Sequence, residues 1–368
     1  KKDTGEGIAG ATVYIEEPRI AVATDPYGYY NITLPQGRHT LRVRSVGQRE
    51  TRREIILYSE GTLDIELFED VIALKEVIVE GEKSANVMGV QMGMERLDIS
   101  KVKQVPTVLG EADIMKIALT LPGVQTVGEG TAGFNVRGGA ADQNLMLINE
   151  SMIYNPSHFF GFFSVFNPDI IKNATLLKSG IPAQYGGRVS SVFDVQGREG
   201  NKRKFGVRGG ISPVTARLAV EGPLIKDKMS FILGARSTYS DWLLNQVPDP
   251  NVQNSDASFY DISGKIDYAI SDKDVITLSG YYSNDDFKLF SDSVISYQNF
   301  NASAQWKHSF GNKLVAVLTG TYSDYAYNVG FDSDSLNAFD LDYRLESMQG
   351  KLDFSYFPKS KHKIDFGF

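Results

Sequence analysis

From Lys204 to Phe368 the side chains alternate with a period of two. Phe205, Val207, Gly209 and Ile211 alternate with Lys204, Gly206, Arg208 and Gly210, and Tyr260, Ile262, Gly264, Ile266 and Tyr268 with Asp261, Ser263, Lys265 and Asp267. Leu352, Phe354 and Tyr356 alternate with Lys351, Asp353 and Ser355. Such a period belongs to strands, whose successive side chains point to opposite faces. A water-soluble sandwich alternates too, so the connections decide. Residues 225–228, 271–274, 310–313 and 358–361 read as tight turns, whereas 238–258, 284–296 and 323–342 are long. Short turns at one end and long loops at the other are the layout of a transmembrane β-barrel. Only the hairpin at Ser212-Pro213 is short at the long end. Tyr239 and Trp242, Tyr281 and Tyr282, and Tyr322, Tyr325 and Tyr327 cluster near the loop-side ends, as an interfacial girdle does. About nine strands are counted, against about 22 in the large single-chain barrels whose lumen is filled. An open edge in hydrocarbon leaves amides unpaired, so the 368 residues are expected to be part of a longer protein.

The length calls for more than one domain. The absence of cysteine removes disulfides and thiolate metal sites, and a net charge of −7 argues against a nucleic-acid surface. No apolar run reaches the roughly 18 residues of a membrane helix. The four histidines, at 39, 158, 308 and 362, form no His-Glu-x-x-His, and no Gly-x-Ser-x-Gly occurs. A surface enzyme therefore lacks support, and no cofactor is expected. A nucleotide site fails as well: there is no Gly-x-x-x-x-Gly-Lys-Ser/Thr.

Residues 1–73 read as a small β-sandwich with strands at 11–15, 29–34, 39–46 and 63–68, separated by Asp25-Pro26-Tyr27-Gly28 and Pro35-Gln36-Gly37. The Gly-Ala-Thr-Val phrase at 10–13, Thr24 to Tyr30 and Leu34 to Gly37 resemble the carboxypeptidase-regulatory-like domain. His39, alone on a strand, reads as a solvated side chain. Residues 74–103 form a segment and linker around Leu74-Lys75-Glu76-Val77-Ile78-Val79-Glu80-Gly81. One reading is a last sandwich strand; the other is a strand added edge-on to a partner.

Residues 104–200 carry the most specific signal: Gly-Phe-Asn-Val-Arg-Gly-Gly at 133–139, the apolar Leu145 to Asn149, and Tyr185-Gly186-Gly187-Arg188. In order and spacing these resemble the plug domain of TonB-dependent outer-membrane receptors, Bacteroidetes type. Asn149-Glu150 departs from the usual Asp-Gly. Glu111 to Leu121 reads as a short amphipathic helix stopped by Pro122-Gly123. The resulting fold class is mainly β: an N-terminal sandwich, an α+β plug, and antiparallel barrel strands over 201–368.

The resemblance implies site roles. Glu76, Val77, Ile78, Val79 and Glu80 would be the TonB-binding segment. Arg137 would pair with acids on the barrel wall, with Gly138, Gly139, Tyr185, Gly186, Gly187 and Arg188 at the plug–barrel contact. The aromatic run from Tyr154 to Phe166 has two readings. Exposed, Tyr154, His158, Phe159, Phe160, Phe162 and Phe163 would bind substrate; otherwise they are buried against the wall. His158 has no partner histidine or cysteine nearby to make a metal site. The acidic stretches 284–286 and 332–334 read as solvated loop tips rather than calcium loops. The function implied is import of a siderophore, glycan or peptide through a plugged barrel. It would be energised through TonB by the inner-membrane proton gradient. The protein would sit in the outer membrane of a Gram-negative cell, among its lipid, with the N-terminal domain periplasmic and a surface lipoprotein as a further partner. The alternative is a secretion or scaffold component with a plugged barrel and no import.

Overall fold

A computed structural model describes residues 1–17, 20–25, 28–45, 47–68, 93–98, 111–128, 133–239, 242, 246, 248, 253, 255–289, 293–311, 313–331, 338–359 and 362–368. The N-terminal domain is built on β1 (Thr12–Ile15), β2 (Ile20–Ala23), β3 (Gly37–Arg44) and β4 (Thr51–Leu57), in the order β2-β1-β3-β4. Alternation along β3 places Leu41 and Val43 in a core with Val13, Ile15 and Leu67. Among the described residues the expected second ladder does not form. Residues 29–34 and 63–68 cover the sheet as extended chain, tied by Tyr30 Oη donating to Leu63 O at 2.8 Å and by Lys2 N donating to Leu67 O at 2.9 Å. β2 and β4 were not among the expected strands. His39 is buried rather than solvated, with Nε2 2.7 Å from Pro35 O.

A strand within the segment read as linker joins the central sheet. β5 (Met94–Asp98) is already an edge strand of its sheet and pairs with β12 (Ile171–Leu177) over five residues. Between them come α1 (Ile114–Ala118), β6 (Val124–Thr126), β7 (Phe134–Val136), β8 (Asn144–Ile148), β9 (Ser151–Met152), β10 (Ser157–His158) and β11 (Phe163–Ser164); β13 (Ser191–Gly197) follows. The main sheet runs β5-β12-β13-β8-β9, with β13 and β8 parallel. Asp113 caps α1 by accepting from Met115 N and Lys116 N, so the helix is shorter than its amphipathic stretch. Phe134, Phe166, Leu176 and Phe193 fill the core, with Phe134 and Phe193 edge to face at 5.6 Å. The β8–β9 hairpin turns on Asn149 and Glu150, both at positive φ (48° and 71°). That is the type I′ geometry Asp-Gly normally supplies.

A single antiparallel sheet follows: β14 (Gly206–Ile211), β15 (Thr215–Ile225), β16 (Met229–Thr238), β17 (Asp256–Ala269), β18 (Asp274–Leu289), β19 (Ser293–Phe310), β20 (Leu314–Phe331), β21 (Phe339–Lys359) and β22 (His362–Gly367), in chain order. The tight turns fall where expected. At the other end the segments 284–296 and 323–342 are mostly strand, so β18 to β21 run 16 to 21 residues. A membrane strand needs only about 9–11 residues, so these strands are longer than one bilayer crossing requires. No helix among the described residues is long and apolar enough to cross a membrane.

The faces of this sheet are inverted relative to a soluble protein. Asp261, Ser263, Asp267, Thr277, Asn301 and Thr319 are buried, while Leu218, Leu233, Ile262, Leu278 and Leu318 are about half exposed. Polar-in and apolar-out is what lipid outside and a filled lumen inside require. The outer aromatics include Tyr260 with Tyr282 and Phe300 with Tyr322, each pair about 6.0 Å apart. Tyr281, expected in the girdle, points inward and is buried.

Candidate functional site: the buried contact between central domain and wall

The central domain lies against the polar face of the sheet, and its most desolvated contact surrounds Arg236 on β16. The guanidinium is almost wholly buried. It donates from Nε to Asp261 Oδ2 (2.8 Å), from Nη2 to Ser164 O (2.7 Å), and from Nη1 to Glu111 Oε1. Thr215 Oγ1 donates to the other Glu111 oxygen at 3.1 Å. One wall cation therefore binds a carboxylate of its own sheet, plus a carboxylate and a carbonyl of the central domain. Buried charges persist only when paired in this way.

His158 completes the network from the other side. Its Nδ1 is 2.8 Å from Asp285 Oδ2 and its Nε2 3.2 Å from Asp261 Oδ2, with Tyr281 Oη 3.4 Å from Nε2. The ring stacks on Phe259 at 4.1 Å, with 1° between planes. Burial alone would pull the imidazole down, but the Asp285 and Asp261 carboxylates outweigh it and hold His158 above its ordinary value. Asp285, expected at a solvated loop tip, is thus an inward residue of β18. Residues 332–334 lie outside the described residues.

Further along the contact, Arg217 pairs with Asp169 at 2.6 Å, Arg198 with Glu221 at 2.9 Å, and Lys351 with Glu150 at 2.7 Å. The departure from Asp-Gly acquires a reason here: Glu150 carries its carboxylate to the wall from a turn position that glycine would otherwise hold. Asp194, on β13, is pushed up to about 7, first by burial and next by Glu150.

The profile of the CarboxypepD_reg-like domain matches residues 1–79, and that of the TonB-dependent Receptor Plug Domain matches residues 102–192. The chain carries the plug domain of TonB-dependent receptors. No curated protein matches it by sequence. Among solved structures it resembles the siderophore receptor PirA from Acinetobacter baumannii, with 15% identity over 72% of this chain and 45% of that one and a TM-score of 0.53. The ferric enterobactin receptor PfeA from Pseudomonas aeruginosa gives 14% identity, 72% and 47% coverage, and a TM-score of 0.53. FpvA of P. aeruginosa gives 12%, 73%, 40% and 0.54. The chain spans less than half the length of each of these receptors, and what the likeness establishes is the shared fold.

Within the plug, the site expectations divide. Arg137 is exposed, sits at φ 50°, and makes no ion pair with the wall among the described residues. The plug arginine that meets a wall acid is Arg198, paired with Glu221, and at the most buried contact the arginine, Arg236, is on the wall and Glu111 on the plug. Arg137 and Gly138 both sit at positive φ (50° and 82°), in the turn that ends β7. Gly139 is needed inside the plug, where a Cβ would collide with Ser190. Tyr185 packs on Leu145, Leu147, Leu177 and Val192, its Oη 3.3 Å from Asp194 Oδ2. Gly186, Gly187 and Arg188 are exposed, and Arg188 bonds only its neighbour's carbonyl, so they are not plug–barrel contacts among the described residues.

The aromatic run is largely buried against the wall. His158 and Phe163 are inaccessible in this conformation, and Phe159 packs on Phe259 and Phe287. Phe162 is exposed and Tyr154 partly so, its ring 6.4 Å from Tyr325. The side chain of Phe160 lies outside the described residues, as do Glu76 to Glu80. Glu111, Arg236, Asp261 and Asp285 escaped the sequence reading. A polar residue at every second position of a strand flags an inner face, but not which of its members are ion-paired.

Proposed function

We propose that this chain belongs to a TonB-dependent importer of the outer membrane and holds its exit closed. The observation that carries the reading is a plug domain docked by buried ion pairs on the polar face of a sheet whose other face is apolar. The tight-turn end then faces the periplasm, and the N-terminal domain with it, since Lys307, three residues before the end of β19, bonds Asp25 of that domain at 3.1 Å. Glu76 to Glu80 lie between the N-terminal domain and β5, so a partner that captured them would pull on an edge strand held by one neighbour. Peeling an edge strand breaks its bonds one after another, which needs less force than shearing a central one. Cargo would meet the exposed Phe162 and Tyr154 from the long-strand end.

Deleting residues 74–81 tests the reading. The variant should fold and reach the outer membrane, yet lose capture by the soluble C-terminal domain of TonB in a pull-down. Undiminished capture would remove the proposed segment, and with it the pulling mechanism.

A further inference from the structure

Among the described residues, ion pairs and hydrogen bonds join the N-terminal domain to the rest of the molecule at the tight-turn end. Lys307 on the inner face of β19 is almost fully buried; its Nζ bonds Asp25 and lies 3.2 Å from the Tyr29 ring centroid. Lys172, on plug strand β12, donates to Gly7 O at 2.8 Å and faces Glu6 at 3.7 Å. Arg203 bridges Glu66 (3.1 Å) to Asp227 in the β15–β16 turn (3.0 Å), and Lys202 N donates to Thr4 O at 3.0 Å. Burial pushes the Glu6 carboxyl up, but Lys172 and Lys1 outweigh it and bring it down to about 2.

Three features stand out among these contacts. The cations sit on plug and wall and the anions on the N-terminal domain, so the charges are complementary. They run from the β15–β16 turn to β19, with the plug contact between, so the domain lies across the wall's tight-turn mouth. Lys307 and Glu6 are as buried as core residues, so separating the surfaces leaves charges that must be rehydrated. We infer that the N-terminal domain is the exit seal of the resting receptor, docked on the plug's underside and on the wall, and that it must leave before the plug can move. The inference rests on the import reading for its purpose, but the docking does not depend on transport.

The 368 residues contain no cysteine, so within them an introduced pair has no competitor. A Cβ at Gly5 would lie 3.4 Å from the Cβ of Lys202, close to the separation of about 3.5–4.5 Å found in disulfides. In the full-length receptor in lipid, Gly5→Cys with Lys202→Cys should oxidise to a disulfide. The yield should fall at least about tenfold when Lys307→Glu and Lys172→Glu are added. Because Gly5 has φ +73°, a cysteine there is strained. A carbodiimide amide between Asp25 and Lys307 in the unaltered receptor, read by mass spectrometry, checks the same contact without substitution. Neither link forming overturns the docking, whatever the receptor transports. For the seal, potassium chloride conductance across a planar bilayer is followed as urea rises. The oxidised pair should open at higher urea than the reduced one. Opening at the same urea would show that the docked domain does not restrain the plug.

Discussion

Replacing Arg236 by methionine isolates the contact between plug and wall. The substitution keeps most of the side-chain volume and the packing over Phe259, 5.3 Å from the guanidinium carbon. It leaves Glu111 buried without its cation and Asp261 with His158 as its remaining partner. Removing one partner of a buried pair costs about 3–5 kcal/mol, because the remaining charge is neither solvated nor matched. At about 1.4 kcal/mol per decade this shifts the docked fraction by two to three orders of magnitude. Pulse proteolysis of the plug in urea reads it: with a slope near 2 kcal/mol per molar, the midpoint should fall by about 2 M. Two companions bracket the result. Arg344→Met breaks an exposed pair with Asp324, whose arginine is 61% accessible, and should cost under about 1 kcal/mol. Adding Glu111→Gln and Asp261→Asn to Arg236→Met removes the stranded charges and should recover most of the loss. If Arg236→Met moves the midpoint no further than Arg344→Met, the network is solvated and the reasoning fails.

The His158 pKa is raised in the folded state, so its contribution is complete below the ordinary value near 6.5 and is lost as pH rises through the folded value. Plug stability should therefore decline on the alkaline side, and His158→Asn should flatten that slope; parallel midpoint-against-pH curves for the two proteins would contradict this. On the wall, a Cβ at Gly234 would meet Ile170 Cγ2 at 2.7 Å. Gly234→Val should loosen the plug by about 1–3 kcal/mol in the same proteolysis assay, while the heat-modifiable mobility of the barrel on a gel stays unchanged. Leu278→Arg puts a charge on the half-exposed outer face of β18. It should cost about 2–4 kcal/mol of folding into liposomes if that face meets lipid; folding as readily as the native chain would place it in water.

Local chemistry made much of the architecture legible. A period of two is a property of the strand itself, and turn residues such as those at 271–274 and 310–313 act on their immediate neighbours, so the tight ends and the strands beside them could be read directly, whereas the outer halves of β18 to β21 read as loop. The plug was legible for a similar reason: Gly138, Gly139 and Gly187 serve close approaches and positive φ, which keep their spacing along the chain. The second layer of the N-terminal domain was not. Residues 29–34 and 63–68 have the composition of strands, and only the fold left them without a ladder.

What the sequence by itself determined was the alternation, the positions of the tight turns, and the order of the three parts. What only the tertiary structure decided was which face is buried and which charges meet. Alternation has no sign: the same pattern hides its apolar face in water and shows it in lipid. Whether Asp261 or Ile262 points at protein depends on what fills the sheet's concave side. The ion pairs are just as non-local. His158 meets Asp285 from 127 residues away and Arg236 meets Glu111 from 125, distances over which chain spacing carries no information about contact.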